Sequence, residues 1–413
     1  MNYFINKIQV NHLFHLESLS IPIESQETPH LLITGKNGSG KTVLLNAIAE
    51  FLDAIKNDSH LYFTQKRSWM ENVLRSLQEA KDASEKYKLK LQYEDVSKQV
   101  SRLFGKVELN FENVAELIDA YSHDDFILAF YQADRKVQMQ EPTNPTKPAF
   151  ATQIAIKKTV TDQFLFFLSD LKIQEALARN EGQIEDADNI CRWFENFEEL
   201  LQQIYQDKNL KLKFNYKDYS FLINTAGRSF KFTQMSDGFA AVLDIVADLI
   251  LKMQTQNSLT RAYLKRGIVL IDEVETHLHL ELQKVIMPLL TKIFPNVQFI
   301  VTTHSPFVLN SMDNAIAFDL EHKEVIDELT EYSYSALAEG YFRVTSESSY
   351  MQMQLEKLED LLQKEHFSEA DKNTIQSLVK DFENIPEPIS PQLVGQYQQL
   401  KSLYSDRLKE FLV

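Results

Sequence analysis

A chain of 413 residues, 44% hydrophobic and 25% charged, is long enough for a large core and two or three domains, and its composition is that of a globular protein. The formal net charge of −16 excludes a protein that coats nucleic acid by bulk electrostatics, while leaving room for a local basic patch. One cysteine, Cys191, excludes an intramolecular disulfide framework, and no apolar run approaches the ~20 residues of a membrane span, so the expectation is a cytoplasmic protein with no membrane partner.

Residues 3–10 and 13–23 alternate as a hairpin does, with Pro22 ending the second strand. An apolar strand follows at 30–34, then a glycine-rich run at 35–42, then a helical pattern at 43–52. From 65 to about 105 the chain turns polar and helical, with Trp69, Val73, Leu74 and Leu77 at three-to-four spacing, which predicts an exposed helical insertion. Strand character returns at 107–111 and 126–131, and three prolines make 141–148 a loop. Residues 152–205 read as a second helical block. Strand-like runs at 210–216, 219–224 and 229–233 lead through Met235-Ser236-Asp237-Gly238 into an apolar helix at 239–253. The continuous runs at 268–271 and 297–302 have the pattern of strands buried on both faces in a parallel sheet. Residues 326–413 read as helix, including a polar tail at 351–413 broken near 386–391.

The run Gly35-Lys36-Asn37-Gly38-Ser39-Gly40-Lys41-Thr42 fits G-x-x-x-x-G-K-[ST] between a strand and a helix, the context of a phosphate-binding loop. Glycines let backbone N–H groups close around phosphate oxygens; Lys41 reaches the β- and γ-phosphates and the Thr42 hydroxyl ligates Mg²⁺. The expected ligands are therefore ATP or GTP with Mg²⁺. The strand at 268–271 ends in Asp272-Glu273, placing Asp272 to hold the Mg²⁺ through water and Glu273 to orient and deprotonate the attacking water. The bland alternative is an acidic cap on the next helix. His304 follows the strand at 297–302 and is placed to sense the γ-phosphate, although a strand-end histidine is also an ordinary polar cap. Ser236 reads as an N-cap, with Gly238 leaving the first helical N–H groups open to an anion.

These elements, in this order, resemble the ABC-type ATPases, and most closely their soluble SMC/RecF-like and OLD-like branch. The resemblance implies an α/β P-loop fold with a mixed central sheet, helical insertions and a helical C-terminal region. It divides the chain into 1–60 and 106–150 (N-terminal part of the ATPase domain), 65–105 (helical insertion), 150–205 (helical lobe), 206–325 (signature, acidic strand and switch) and 326–413 (helical C-terminal region). It assigns Ser236, Asp237 and Gly238 to a signature that closes over the γ-phosphate held by another subunit, with Met235 and Phe239 departing from the family pattern. Gln132 matches the glutamine that touches Mg²⁺ and water, and Arg135 is expected to meet phosphate or a partner. His277 and His279, in Glu275-Thr276-His277-Leu278-His279-Leu280, are expected at the subunit interface. Tyr3, Phe4, Phe14 and His15 are the candidates for stacking on adenine.

No TOPRIM motif follows the switch region, and the single Asp-x-Asp, Asp186-Ala187-Asp188, lies in a polar helical stretch. The resemblance thus implies an ATPase that forms a head-to-tail, ATP-dependent dimer and drives a separate effector such as a nuclease, like the ATPase subunits of the Septu and PARIS anti-phage systems. The alternatives are a DNA-repair ATPase of the RecF or SMC type that binds DNA directly, and the soluble half of a transporter.

Overall fold

A computed structural model describes residues 3–23, 29–56, 59–135, 139–144, 148, 154–254, 264–326, 349–364, 366–385 and 391–409. The chain forms two compact units, 1–332 and 333–413.

In the first unit, β1 (Ile5–Leu13) and β2 (Leu16–Pro22) make the expected hairpin, in register from Lys7 opposite Pro22 to Leu13 opposite Leu16. β4 (Val107–Phe111) pairs antiparallel on the other side of β1, giving a three-stranded sheet. Between β2 and β4 lie β3 (His30–Thr34), α1 (Lys41–Lys56), and the helical hairpin of α2 (Ser59–Glu79) and α3 (Ala83–Phe104). β5 (Phe126–Tyr131) follows α4 (Val114–Ser122).

The second sheet contains β5, β3, β9 (Arg266–Ile271), β10 (Val297–Thr302), β11 (Ala315–Asp319) and β12 (Glu324–Ile326) in the order β12-β11-β3-β10-β9-β5. The last five of these run parallel, and β12 is antiparallel to β11. β11 and β12 are strands that the sequence reading did not assign, and β11 lies directly beside β3, which carries the glycine-rich loop. The two sheets share one core. Leu44, Leu45, Ile48, Phe51 and Leu52 of α1 are buried in one cluster with Ile8, Val10 and Ile21 of the first sheet and Leu31, Ile33, Leu270 and Ile300 of the second. A buried amide also joins them, because Gln298 Oε1 accepts from Ile5 N–H at 2.9 Å while its Nε2 donates to Ile5 O at 2.8 Å, pairing both backbone groups of the first residue of β1.

α5 (Phe164–Asn180) and α6 (Ile184–Tyr205) form the helical lobe, beginning later than the predicted 152. The antiparallel sheet β6 (Lys211–Asn215), β7 (Ser220–Thr225) and β8 (Arg228–Lys231) packs on it. Phe164, Phe167, Trp193 and Phe197 of the helices meet Phe221 and Phe232 in a buried aromatic cluster, with Trp193 stacked on Phe197 at 5.4 Å and Phe197 on Phe232 at 6.5 Å. This lobe supports the start of α7 (Asp237–Lys252), and α8 (Leu280–Ile293) links β9 to β10. Asp186 and Asp188 are exposed in the first turns of α6.

The second unit has its own core: Leu358 and Leu362 of helix Ser349–Gln363, Ile375 and Phe382 of Glu369–Glu383, and Leu393 and Tyr397 of Pro391–Leu403. The predicted break at 386–391 falls mostly outside the described residues.

Candidate nucleotide-binding site

Parallel strands deliver their carboxyl ends to one edge of a sheet, where α/β folds place ligands. Here β3 leads into Gly35, β10 into Thr303 and His304, β9 into Asp272 and Glu273, and β5 into Gln132. The glycine-rich loop is tightly wound. Gly35 lies at φ +134°, and a Cβ there would stand 2.9 Å from Ser39 Oγ, so this position admits only glycine. Gly38 and Gly40 also have positive φ, and Lys36, Asn37 and Gly38 are exposed along the rim. Ser39 Oγ is buried without a hydrogen-bond partner, and Thr42 at the start of α1 is exposed.

Lys41 Nζ donates to Gly35 O at 2.8 Å and Lys36 O at 3.2 Å. Burial draws its ammonium below the usual lysine range, opposed by the fields of Glu273, Glu275, Asp272 and Asp319. A cation surrounded by carboxylates on a loop of turned-in N–H groups suits a nucleotide polyphosphate carrying a divalent ion. Among the described residues no group of three or more His, Cys, Asp and Glu forms a protein-only metal site. Thr42 and Asp272, the residues expected to hold Mg²⁺, stand at the carboxyl edge of the sheet, at the start of α1 and the end of β9.

One hydroxyl organises the acidic pair. Thr302 Oγ1 donates to Asp272 Oδ1 at 2.6 Å and accepts from Glu273 N–H at 2.8 Å. Glu273 sits at φ +46°, a strained conformation for a side-chain-bearing residue. The strain is held in place by Thr302 on one side and by Arg135 on the other. Arg135 donates to Gln132 O at 3.3 Å, Asp272 O at 3.2 Å and Val274 O at 3.2 Å. Arg135 was expected to meet phosphate or a partner; here its two terminal nitrogens bind the carbonyls of the turn, while Nε is buried without a hydrogen-bond partner. The acids do not cap the next helix either, because the N-cap of α8 is His279.

Glu275 is a residue that sequence reasoning passed over. Its carboxylate accepts Thr303 Oγ1–H at 2.8 Å and the backbone N–H of His304, fixing the turn that presents the histidine. Burial pushes this carboxyl up while those bonds oppose the shift. The only signal available was its place in the Glu-x-His-Leu-His run. His304 itself is held below the usual imidazole range by burial and by Lys41, which keeps it neutral at pH 7.

Ser236 occupies the N-cap of α7 in extended conformation, yet its side chain makes no capping hydrogen bond, contrary to the capping expectation. Gly238 is buried: a Cβ there would lie 2.9 Å from His277 O and 3.6 Å from His279 Cδ2. Its glycine is thus required by the close approach of its own chain's histidine loop rather than by an open anion cradle. Asp237 is exposed beside it, and Gln132 is exposed at the end of β5.

The four N-terminal aromatics separate. Tyr3 packs on Phe126 at the start of β5 and lies under Arg266 at the start of β9, the far edge of the sheet, and Phe4 neighbours it in sequence. The β1–β2 turn leans on the loop instead, since a Cβ on Gly40 would meet Leu16 Cδ1 at 3.3 Å and His15 Cε1 at 3.5 Å. Phe14, at φ +58° and 75% exposed, stands edge-on to His15 at 5.1 Å.

The chain aligns with proteins of known kind. It is 25% identical over 325 residues to the Septu protein PtuA of Bacillus mycoides (strain KBAB4), covering 78% of this chain and 41% of PtuA. It is 27% identical over 216 residues to the "Retron Ec83 probable ATPase" of Escherichia coli, covering 51% of this chain and 39% of that protein. The chain thus spans well under half the length of both relatives. Among solved structures, an SMC head bound to the C-terminal winged-helix domain of ScpA overlaps 78% of this chain and 97% of that one at 14% identity and a TM-score of 0.37. The family described as "AAA domain, putative AbiEii toxin, Type IV TA system" matches residues 31–310, more than half of the sequence, and the chain belongs to that family of P-loop proteins.

Proposed function

We propose that this chain hydrolyses ATP at composite sites between two copies and uses nucleotide-dependent association to control a separate effector in anti-phage defence. The observation that carries the reading is the convergence of Lys41, Asp272, Glu273 and His304 on one sheet edge, with Thr302 bonded to both halves of the acidic pair.

In this mechanism the backbone N–H groups of 36–42 and the Lys41 ammonium hold the polyphosphate. Thr42, Asp272 and Gln132 would hold Mg²⁺, which would neutralise phosphate charge when bound. Glu273 takes a proton from the attacking water as its oxygen bonds the γ-phosphorus and the bond to the β-phosphate oxygen breaks, leaving ADP and phosphate. Neutral His304 hydrogen-bonds the γ-phosphate or that water, and Glu275 fixes its turn. Ser236, Asp237 and Gly238 complete the site in trans. Two facts support this: Ser236 Oγ caps no helix of its own, and Gly238 ties its turn to the His277–His279 loop expected at the interface. The similarity to PtuA and to a retron ATPase supports the defence role and an effector on another chain.

Replacing Glu273 with Gln tests the reading. The variant should bind ATP as the parent does, lose turnover by at least about 10²-fold as expected for a general base, and accumulate as an ATP-bound dimer on a sizing column. Parent-like hydrolysis by this variant would remove Glu273 from the mechanism.

A further inference from the structure

A cleft of about 590 Å³ opens beside the signature turn. Its lining includes Tyr205, Arg228, Phe230, Met235, Ser236 and Phe239. Tyr205 stacks on Phe239 at 4.1 Å and tilts against Phe230 at 5.9 Å, so the walls are aromatic. Arg228, exposed at the start of β8, has no ion-pair partner among the described residues. Ser236 Oγ makes no cap bond, and the N-terminus of the sixteen-residue α7 adds positive potential at the same rim, partly offset by Asp237. Aromatic faces, an unpaired guanidinium and a spare hydroxyl are the groups that bind a nucleotide: stacking for the base, charge and hydrogen bonds for ribose and phosphate.

The complementary feature is the β1–β2 turn, where the exposed Phe14 ring stands edge-on to His15, and His15 in turn lies beside Gly40 of the phosphate-binding loop. Two copies of a chain carrying −16 repel one another, so a face on which they meet needs local attraction, which the Arg228 guanidinium of the cleft offers to an anionic ligand on the other copy. We propose that this cleft receives the base-and-ribose end of a nucleotide seated on a second copy, with the purine held between that copy's Phe14 and the Arg228–Phe230 wall. The inference rests on the composite-site reading and extends it, making β8 a reader of the nucleotide from across the dimer.

Thiol cross-linking tests it directly. In the Glu273→Gln background with Cys191→Ser, cysteines are introduced by H12C and S229C, at exposed positions beside Phe14 and Arg228 that leave those two side chains in place, and the protein is treated with a short bifunctional maleimide. ATP with Mg²⁺ should give a covalent dimer that ADP does not. An ATP-dependent dimer on the sizing column without the cross-link would overturn the inference and leave the composite site standing. No ATP-dependent dimer of Glu273→Gln at all would overturn both.

Kinetics supply an independent arm. Arg228→Glu should raise KM for ATP by about tenfold or more, the loss of one charge-assisted contact. Mixing it with Lys41→Ala should restore activity, because one site of the mixed pair then joins an intact loop to an intact cleft. Unchanged kinetics for Arg228→Glu, or no rescue on mixing, would count against the proposal.

Discussion

Thr302 shows what the motif residues depend on. Its hydroxyl is the donor to Asp272 and the acceptor for Glu273 N–H, so one oxygen sets the spacing of the metal-side and water-side acids. Thr302→Val keeps the shape and removes both bonds. Leaving those partners unpaired should cost about 1–3 kcal/mol of stability, read as a lower melting temperature. It should also lower kcat by roughly tenfold or more while nucleotide affinity stays near that of the parent, because Lys41 and the loop are untouched. An unchanged kcat would show that Glu273 keeps its strained φ without Thr302. That Lys41, Asp272, Glu273 and His304 lie at one sheet edge was legible in the sequence, because each follows an apolar strand-like run. Thr302, Arg135 and Glu275 were not, since each acts on groups that only strand neighbours bring close: Arg135 reaches Val274, and Thr302 reaches Asp272.

At the scale of elements, long apolar runs announced β9 and β10, and the alternation of 3–23 announced the hairpin. β11 was missed because two of the five residues of Ala315–Asp319 are alanines, which leave little β-branched or aromatic signal for a strand; its place beside β3 is decided by the sheet. α7 also held something its apolar pattern concealed. Asp248 is fully buried, accepting Tyr131 OH at 2.7 Å and Val160 N–H at 2.6 Å and pairing with Lys252 at 2.7 Å. This ties the helix that starts at the signature to the strand that ends at Gln132. One turn earlier, Asp244 is also buried, and burial pushes its carboxyl up to about 6. The sign follows from linkage: the folded state holds this proton more tightly than the unfolded chain, whose aspartate titrates near 3.9. The contribution is therefore most favourable below pH 4 and is lost as pH rises through 6. Asp244→Asn should raise the melting temperature at pH 8, by at most about 3 kcal/mol in stability, with the advantage shrinking toward pH 4. Equal gains at pH 8 and pH 4 would mean that the charge of Asp244 is not what costs stability.

At the scale of the whole chain, the two units have separate reasons to be stable. The first is a nucleotide-binding domain by its loop and sheet; the second closes a core of its own around Phe382, which stacks on Tyr397 with ring centres 5.2 Å apart. We predict two calorimetric transitions with different responses. A ligand that binds only the folded first unit stabilises it by about 2.7 kcal/mol at a hundred times its dissociation constant, so ATP with Mg²⁺ in the Glu273→Gln variant should raise one transition. Phe382→Ala deletes a buried ring, a loss of roughly 3–5 kcal/mol that should fall on the other transition alone. Perturbations confined to separate cooperative units add, so the combined experiment should show both shifts at full size. If Phe382→Ala instead lowered the nucleotide-raised transition by a comparable amount, the tail would be part of the ATPase's folding unit rather than a domain beside it.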